Sequence, residues 1–228
     1  MQGSNVDCKN NKVLCIYEIS KYLFYFPRVI IPEARTDLIK SEILNNLPYV
    51  IINEKDLYIH IRGGDAFYNH PHCIYAQPPL CFYEKIIKSK VFKKIYIISE
   101  DDSNIIIPNL LKKYNKVIHN INKVEYDISL LCHAYNIAIS ISSFSISAIK
   151  INENLKDLWE YDLLRLTEKF FFLHHHTYKL NIKYKIHTMK PSNIYKSKMF
   201  VWKASPEQIK LMLEDNCPYD FVLTKPNE

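Results

Sequence analysis

A short segment in the first third of the chain combines residue types that can bind phosphate. It reads His60-Ile61-Arg62-Gly63-Gly64-Asp65 and contains two of the three glycines in the sequence. The Arg62 guanidinium offers a planar set of donors that matches phosphate oxygens. Asp65 can brace that guanidinium or hold a ribose hydroxyl. Glycine permits unusual backbone angles and close approach, so Gly63 and Gly64 predict a special turn, with an ordinary tight turn as the alternative.

The elements around this segment predict a fold that would expose it. The pattern predicts a strand over Leu57–Arg62, which puts Arg62 at a carboxyl end, where open α/β sheets bind ligands. Strands and helices then alternate, which predicts an α/β fold with a parallel sheet and helices on both faces. The further strands are Lys94–Ser99, Lys116–His119, Ile137–Ile141 and the strictly alternating Lys179–Ile186. The helices are Glu33–Asn45, 79–90, Ile105–Tyr114, Asp127–Tyr135, Ser143–Lys150 and 205–214.

Composition narrows the possible functions. The net charge is +6, and no run of basic residues is longer than two. This pattern favours a small anionic ligand over nucleic acid. The six cysteines form no CxxC pair, so no structural zinc site is predicted. Disulfides between them stay open. Cys132 lies in an apolar helical run and is expected in the core. No apolar stretch is long enough to predict a membrane span, and no targeting signal is readable. GxGxxG and P-loop patterns are absent, which disfavours ordinary dinucleotide and ATP sites.

Two segments resemble a known family. Leu57–Asp65 resembles the His-x-Arg-x-Gly-Asp motif of the α1,2-, α1,6- and protein O-fucosyltransferases. The segment 127–145 is similar to the helix, strand and Ser-Ser-Phe that follow this motif in protein O-fucosyltransferases. The resemblance covers residues 50–150 and implies the C-terminal, Rossmann-like half of a two-domain GT-B enzyme that uses GDP-fucose.

The resemblance implies roles for single residues. Arg62 would hold the β-phosphate of the donor, and His60 would support the same pocket. Asp127 would accept hydrogen bonds from the guanine edge. The acidic turn Glu100-Asp101-Asp102 also resembles these families, which makes Asp102 a candidate for ribose or base contact. The expected donor site is completed by the glycine turn and by the start of the following helix, that is by Gly63, Gly64, Asp65, Ser142, Ser143 and Phe144.

The implied reaction is metal-independent inversion at the fucose anomeric carbon, with a glycan or protein hydroxyl as the acceptor. No DxD motif lies at a predicted strand end, so Arg62 and the amides of the helix starting at Ser143 would stabilise the leaving GDP. The general base expected from the position of a carboxylate in the α1,6 enzymes is His70. A solvated loop histidine is the alternative reading. The triplet His174–His176 predicts no metal site, since only two of its side chains would share a face of a strand.

The resemblance also divides the chain into three parts. Residues 1–52 would be a reduced or truncated acceptor-side region, 53–165 the nucleotide-sugar domain, and 166–228 an α+β extension packing on or beside it. Because a GT-B enzyme needs an N-terminal domain of its own, two alternatives remain: a nucleotide-sugar- or glycan-binding module without turnover, and a subunit that needs a partner domain. A basic interaction protein, in which Arg62-Gly63-Gly64 is only a turn, is a further one. The sequence does not predict a compartment. Related eukaryotic enzymes act in the secretory pathway, and no targeting signal is readable in this sequence.

Overall fold

One sheet organises the computed structural model, which describes residues 33–163 and 183–225. Its seven strands are β1 (Leu57–His60), β2 (Ile95–Ile98), β3 (Val117–His119), β4 (Asn136–Ile139), β5 (Asp157–Tyr161), β6 (Lys185–Met189) and β7 (Val222–Thr224). They lie in the order β3-β2-β1-β4-β5-β6-β7, with β1 to β6 parallel and β7 antiparallel to β6. The order 3-2-1-4-5-6 is that of the Rossmann fold, and the predicted fold class is confirmed.

Helices cover both faces of the sheet, because successive side chains of each buried strand point to opposite faces and both must be screened from water. The helices are α1 (Glu33–Asn46), α2 (Leu80–Ser89), α3 (Ile106–Lys113), α4 (Val124–His133), α5 (Ser143–Ile151), α6 (Asn193–Met199) and α7 (Pro206–Glu214). Side chains from α2, α3, α6 and α7 contribute to one apolar core. Those from α1, α4 and α5 contribute to the other.

Strand β1 illustrates how the sequence orients the site. Leu57, Ile59 and Ile61 are fully buried in the core beneath α2 and α3. Burial of each such side chain contributes about 1.5–3 kcal/mol relative to exposure. Tyr58 belongs to the opposite core, so the alternation directs His60 to the face covered by α4 and α5. A slip of one residue would reverse every one of these positions, which is why the register is well defined.

The predicted elements exist, with corrections at their ends. The first strand ends at His60 rather than Arg62, because the chain turns there into a 3-10 segment, Gly64–Ala66. Helix α4 begins at Val124 rather than Asp127: the Asp127 amide donates to the Lys123 carbonyl (3.2 Å), within the first turn. The predicted start of α7 is confirmed, since Ser205 and Gln208 form a reciprocal capping box.

The C-terminal region supplies part of the same sheet. Residues 183–225 add β6, β7, α6 and α7, and a disulfide joins Cys81 of α2 to Cys217 across 136 residues. The sequence left disulfides open without pairing any cysteines. Cys132 is buried at 1% exposure, as predicted. The triplet His174–His176 and the first part of a strand predicted over Lys179–Ile186 lie outside the described residues.

No helix among the described residues is long and apolar enough to cross a membrane.

Candidate functional site

A cavity of about 550 Å³ opens at the carboxyl ends of β1, β2 and β4. It lies where the strand order reverses, because β1 pairs with β2 on one side and with β4 on the other. In open α/β sheets, the loops leaving two such strands diverge to opposite faces and leave a crevice between them. Its volume falls in the range of small-molecule and cofactor sites.

Arg62 enters this cavity from the end of β1 and is held from two sides. Its Nη2 atom donates to both carboxylate oxygens of Asp65, at 2.8 and 3.0 Å. The guanidinium carbon lies 3.9 Å above the ring of Tyr75, a cation–π contact. Nε is buried without a hydrogen-bond partner in the described part of the chain. One edge of the guanidinium is thus braced, while Nε remains unsatisfied.

His60 supports the cavity wall as a neutral side chain. It is 6% exposed, and burial, reinforced by the nearby charge of Arg62, lowers its pKa to about 3. The Ser140 hydroxyl lies 3.2 Å from His60 Nδ1 and accepts the Arg62 amide at 3.0 Å. The ring centroid of Phe144 is 5.7 Å away. His60 therefore contributes shape and a hydrogen bond, but no positive charge near neutral pH.

The glycine pair meets both conditions that the sequence suggested. Gly64 has φ +49°, in the left-handed region that disfavours residues with a side chain. Gly63 approaches Asp101 so closely that a Cβ there would collide with its carboxylate. The Gly64 amide donates to that carboxylate at 3.0 Å and to the Ser103 hydroxyl at 2.9 Å. Burial alone would raise the pKa of Asp101, but hydrogen bonds from the Ser103 hydroxyl and from the Gly64 and Ser103 amides outweigh it and lower that pKa.

Asp127 lies on the far wall of the cavity, on α4. It is 5% exposed, and its Oδ1 accepts a hydrogen bond from Asn122 Nδ2 at 2.8 Å. Burial raises its pKa to about 6, with the Asn122 bond acting in the opposite direction. A buried carboxylate with one oxygen committed can accept donors from a ligand with the other.

The start of α5 borders the cavity beside Arg62. Ser142 caps this helix, its hydroxyl accepting the Phe144 amide at 3.2 Å. Ser142, Ser143 and Phe144 all line the cavity. The first amides of a helix have no partner within the helix, and its dipole favours negative charge there. Phosphate binding at this end is therefore chemically reasonable.

The acidic turn after β2 presents a different carboxylate from the one expected. Glu100 and Asp102 are both exposed, but Glu100 lines the cavity and Asp102 does not. Burial raises the pKa of Glu100, with Arg62 acting against this. The neighbouring Ser99 also lines the cavity, is 2% exposed, and its hydroxyl has no partner among the described residues.

The loop from residue 66 to 76 forms one rim of the cavity through Tyr75. Trp202 ties this loop at two points: its Nε1 donates to the Ala66 carbonyl at 2.6 Å and its amide to Cys73 at 2.9 Å. His70, the expected base, is exposed and lies outside the cavity lining. Trp202 and Trp159 are both fully buried, so both pack in the core and neither offers a face on which a sugar could stack.

The metal-ligating side chains that the structure brings together lie elsewhere. In the part of the chain that is described, the sole set of three is Cys81, Asp215 and Cys217. The two sulfurs are bonded to each other, so neither is a thiolate ligand. Asp215 accepts the Cys217 amide at 3.0 Å and acts as a local brace.

Most sequence-predicted site residues meet at one cavity. Its lining includes His60, Arg62, Gly63, Asp65, Asp127, Ser142, Ser143 and Phe144; Gly64 stands between two of them in the chain but is not part of the lining. Sequence reasoning did not single out Ser140, Ser99 or Asn122. Ser140 could have been found, because it precedes Ser142 by two residues at the end of a predicted strand. Asn122 could not, since its position depends on where α4 begins.

These features define a Rossmann-like α/β domain with a polar cavity at its strand-order reversal. No protein-family model matches the sequence, and no curated protein matches it at a significant level.

Proposed function

We propose that this domain binds a nucleoside diphosphate sugar, with GDP-fucose as the donor, and serves as the donor-binding part of a glycosyltransferase. One observation carries the proposal. Arg62, Asp127 and the start of α5 come from distant parts of the chain and border one cavity at the reversal point of the sheet. Nucleotides bind at this point in Rossmann-like sheets. The identity of the sugar and of the base rests on the resemblance to fucosyltransferases.

The cavity offers different chemistry to the two ends of such a ligand. Arg62 and the first amides of α5 suit the diphosphate, because both provide donors to negative oxygens. Asp127 suits a base edge that carries two donors, as guanine does. Asp65 already neutralises part of the Arg62 charge. The diphosphate therefore binds through the helix amides as well as the guanidinium.

In a transfer reaction these donors would stabilise the charge that develops on the departing GDP. No metal ion is required for that step if the donors are already oriented. Losing one preorganised donor of this kind costs about 3 kcal/mol of barrier lowering. His60 stays neutral near pH 7, so Arg62 supplies the positive charge next to it. The acceptor is a glycan or protein hydroxyl.

Calorimetric titration tests the binding part of the proposal. The purified chain is titrated with GDP-fucose, GDP, ADP and UDP under identical conditions. We expect GDP-fucose and GDP to bind with similar affinity and ADP and UDP at least tenfold more weakly. Equal binding of all nucleotides would remove the guanine assignment, and binding of none by the folded chain would remove the proposal.

A binding module without turnover is the second candidate, and the position of His70 favours it. The expected base is exposed and does not line the cavity, and a base must come within hydrogen-bond reach of the acceptor. The two candidates differ in whether GDP-fucose is consumed. GDP release from GDP-fucose is measured for the wild type and for His70→Ala, with a panel of glycan and peptide acceptors. Turnover lost in the variant supports the enzyme, whereas tight binding without GDP release supports the module or a subunit that needs a partner.

A further inference from the structure

We propose that Glu100 and Ser99, at the carboxyl end of β2, form the subsite for the ribose hydroxyls and make the cavity select ribonucleotides over dideoxyribonucleotides. This inference rests on the proposed nucleotide function and adds a specificity residue to it. It also replaces Asp102, the expected ribose contact, by a carboxylate two residues earlier.

The position of Glu100 within the sheet supports this role. β2 lies directly beside β1, so its carboxyl end flanks the end that carries Arg62. In Rossmann-like sheets, an acidic side chain near that position accepts hydrogen bonds from ribose hydroxyls while the phosphates lie next to β1. Both side chains are exposed, but Glu100 lines the cavity and Asp102 does not.

The glycine turn makes room for this carboxylate. A Cβ on Gly64 would collide with both carboxylate oxygens of Glu100, so the absence of a side chain at Gly64 permits Glu100 to lie there. Within residues 33–163 and 183–225, no hydrogen-bond donor or ion-pair partner engages the Glu100 carboxylate. Asp101, its neighbour, is by contrast fully engaged by Gly64 and Ser103. Glu100 is exposed and thus borders the cavity with its acceptor capacity unused.

Ser99 is an independent sign of a polar ligand. Its side chain is 2% exposed and lines the cavity, yet its hydroxyl has no hydrogen-bond partner in the described residues. Buried hydroxyls in folded proteins are nearly always paired. A ribose offers hydroxyls that donate to Glu100 and accept from Ser99, and so satisfies both groups together.

Comparing GDP with 2′,3′-dideoxy-GDP isolates the two hydroxyls. Removing a hydrogen bond to a charged group costs about 1.5–3 kcal/mol, so we expect the wild type to prefer GDP about 10- to 100-fold. Glu100→Ala should bring the two affinities within about twofold of each other. The ratio matters more than either affinity, since removing a carboxylate near an anionic ligand tightens binding of both nucleotides. Asp102→Ala, the matched control, should retain the wild-type preference.

The outcomes separate the two proposals. If GDP binds but the wild type does not distinguish the nucleotides, or Glu100→Ala keeps the full preference, the ribose subsite is wrong and nucleotide binding stands. If Asp102→Ala abolishes the preference instead, Asp102 is the ribose residue. If neither nucleotide binds to the folded wild type, the proposed function fails and the subsite with it.

Discussion

Gly64 and Glu100 are in direct contact because Gly64 has no side chain. The Glu100 carboxylate occupies the space that a Cβ of Gly64 would need, and Gly64 itself has φ +49°. The glycine turn after β1 and the acidic turn after β2 are therefore packed against each other. Replacing Gly64 by alanine would have two effects: strain from its left-handed φ and a collision with Glu100. These effects can be measured separately.

Gly64→Ala should lower the free energy of unfolding by about 1–3 kcal/mol, since a left-handed φ is unfavourable for alanine. The glutamate side chain can swing away, so relief of the collision contributes little. Urea unfolding of Gly64→Ala is therefore compared in the wild-type and Glu100→Ala backgrounds. The loss should be nearly the same in both, and a loss that disappears in the Glu100→Ala background would show that φ is not the cause.

His60 should make the fold less stable as the pH falls. Its folded-state pKa is about 3, below the ordinary value of 6.5, so the unfolded chain binds the proton first. The contribution is complete above pH 6.5 and is lost progressively between pH 6.5 and pH 3. From pH 7 to pH 5, this histidine alone costs about 2 kcal/mol.

The measurement is the change in unfolding free energy between pH 7 and pH 5 for the wild type and for His60→Asn. The loss of unfolding free energy from pH 7 to pH 5 should be about 2 kcal/mol smaller in His60→Asn than in the wild type. His70→Asn, at an exposed position, is the control and should keep the pH dependence of the wild type. An identical pH dependence in the wild type and His60→Asn would contradict the buried neutral histidine.

Asp127 should make ligand binding weaker as the pH falls, because its carboxylate becomes protonated in the folded chain. Its raised pKa of about 6 means that at pH 5 only about one tenth of the folded chain carries the carboxylate. If that carboxylate accepts hydrogen bonds from the base, the affinity for GDP-fucose falls about tenfold from pH 7 to pH 5. GDP-fucose is the suitable probe, because its substituted diphosphate does not titrate in this range. Asp127→Asn should bind weakly at both pH values, and a wild-type affinity that does not change with pH would exclude this role.

The Cys81–Cys217 disulfide should stabilise the fold by about 2–5 kcal/mol, since it closes a long loop in the unfolded chain. Cys217→Ser and reduction of the wild type should lower the midpoint of urea unfolding to a similar extent. Cys73→Ser alters an exposed free cysteine and is the matched control. A midpoint that is insensitive to Cys217→Ser would show that the bridge contributes nothing to stability.

The fold was largely predictable because its signals are local. Strands such as β1 and β2 are short, mostly apolar runs, and helices such as α7 begin with a recognisable capping box. The strand order was not derivable from these runs. The strand order depends on which pairing of strands buries the apolar faces together, and that is a property of the whole chain. The same holds for Cys81 and Cys217, which meet only because the C-terminal segment returns to α2.

The site was predictable where one motif sets it and not where two turns meet. Arg62, Gly63 and Gly64 follow one strand, and their joint position at its end needed only the strand assignment. The choice between Glu100 and Asp102 required knowing which way the chain turns after β2, and the sequence carries no signal for this. Trp202 is distant in sequence from the loop that it contacts, so its hydrogen bond to Ala66 could not be predicted from the sequence either.

The most direct test of the central claim is the affinity of GDP for the wild type and for Arg62→Ala, measured by calorimetry. Arg62 is the cation that lines the cavity among the described residues, so its removal should weaken GDP binding at least tenfold. Lys113→Ala removes an exposed charge outside the cavity and should bind as the wild type does. The account predicts guanine-nucleotide binding that Arg62→Ala loses while remaining folded. GDP binding that is unchanged in Arg62→Ala, or absent from the folded wild type, would contradict it.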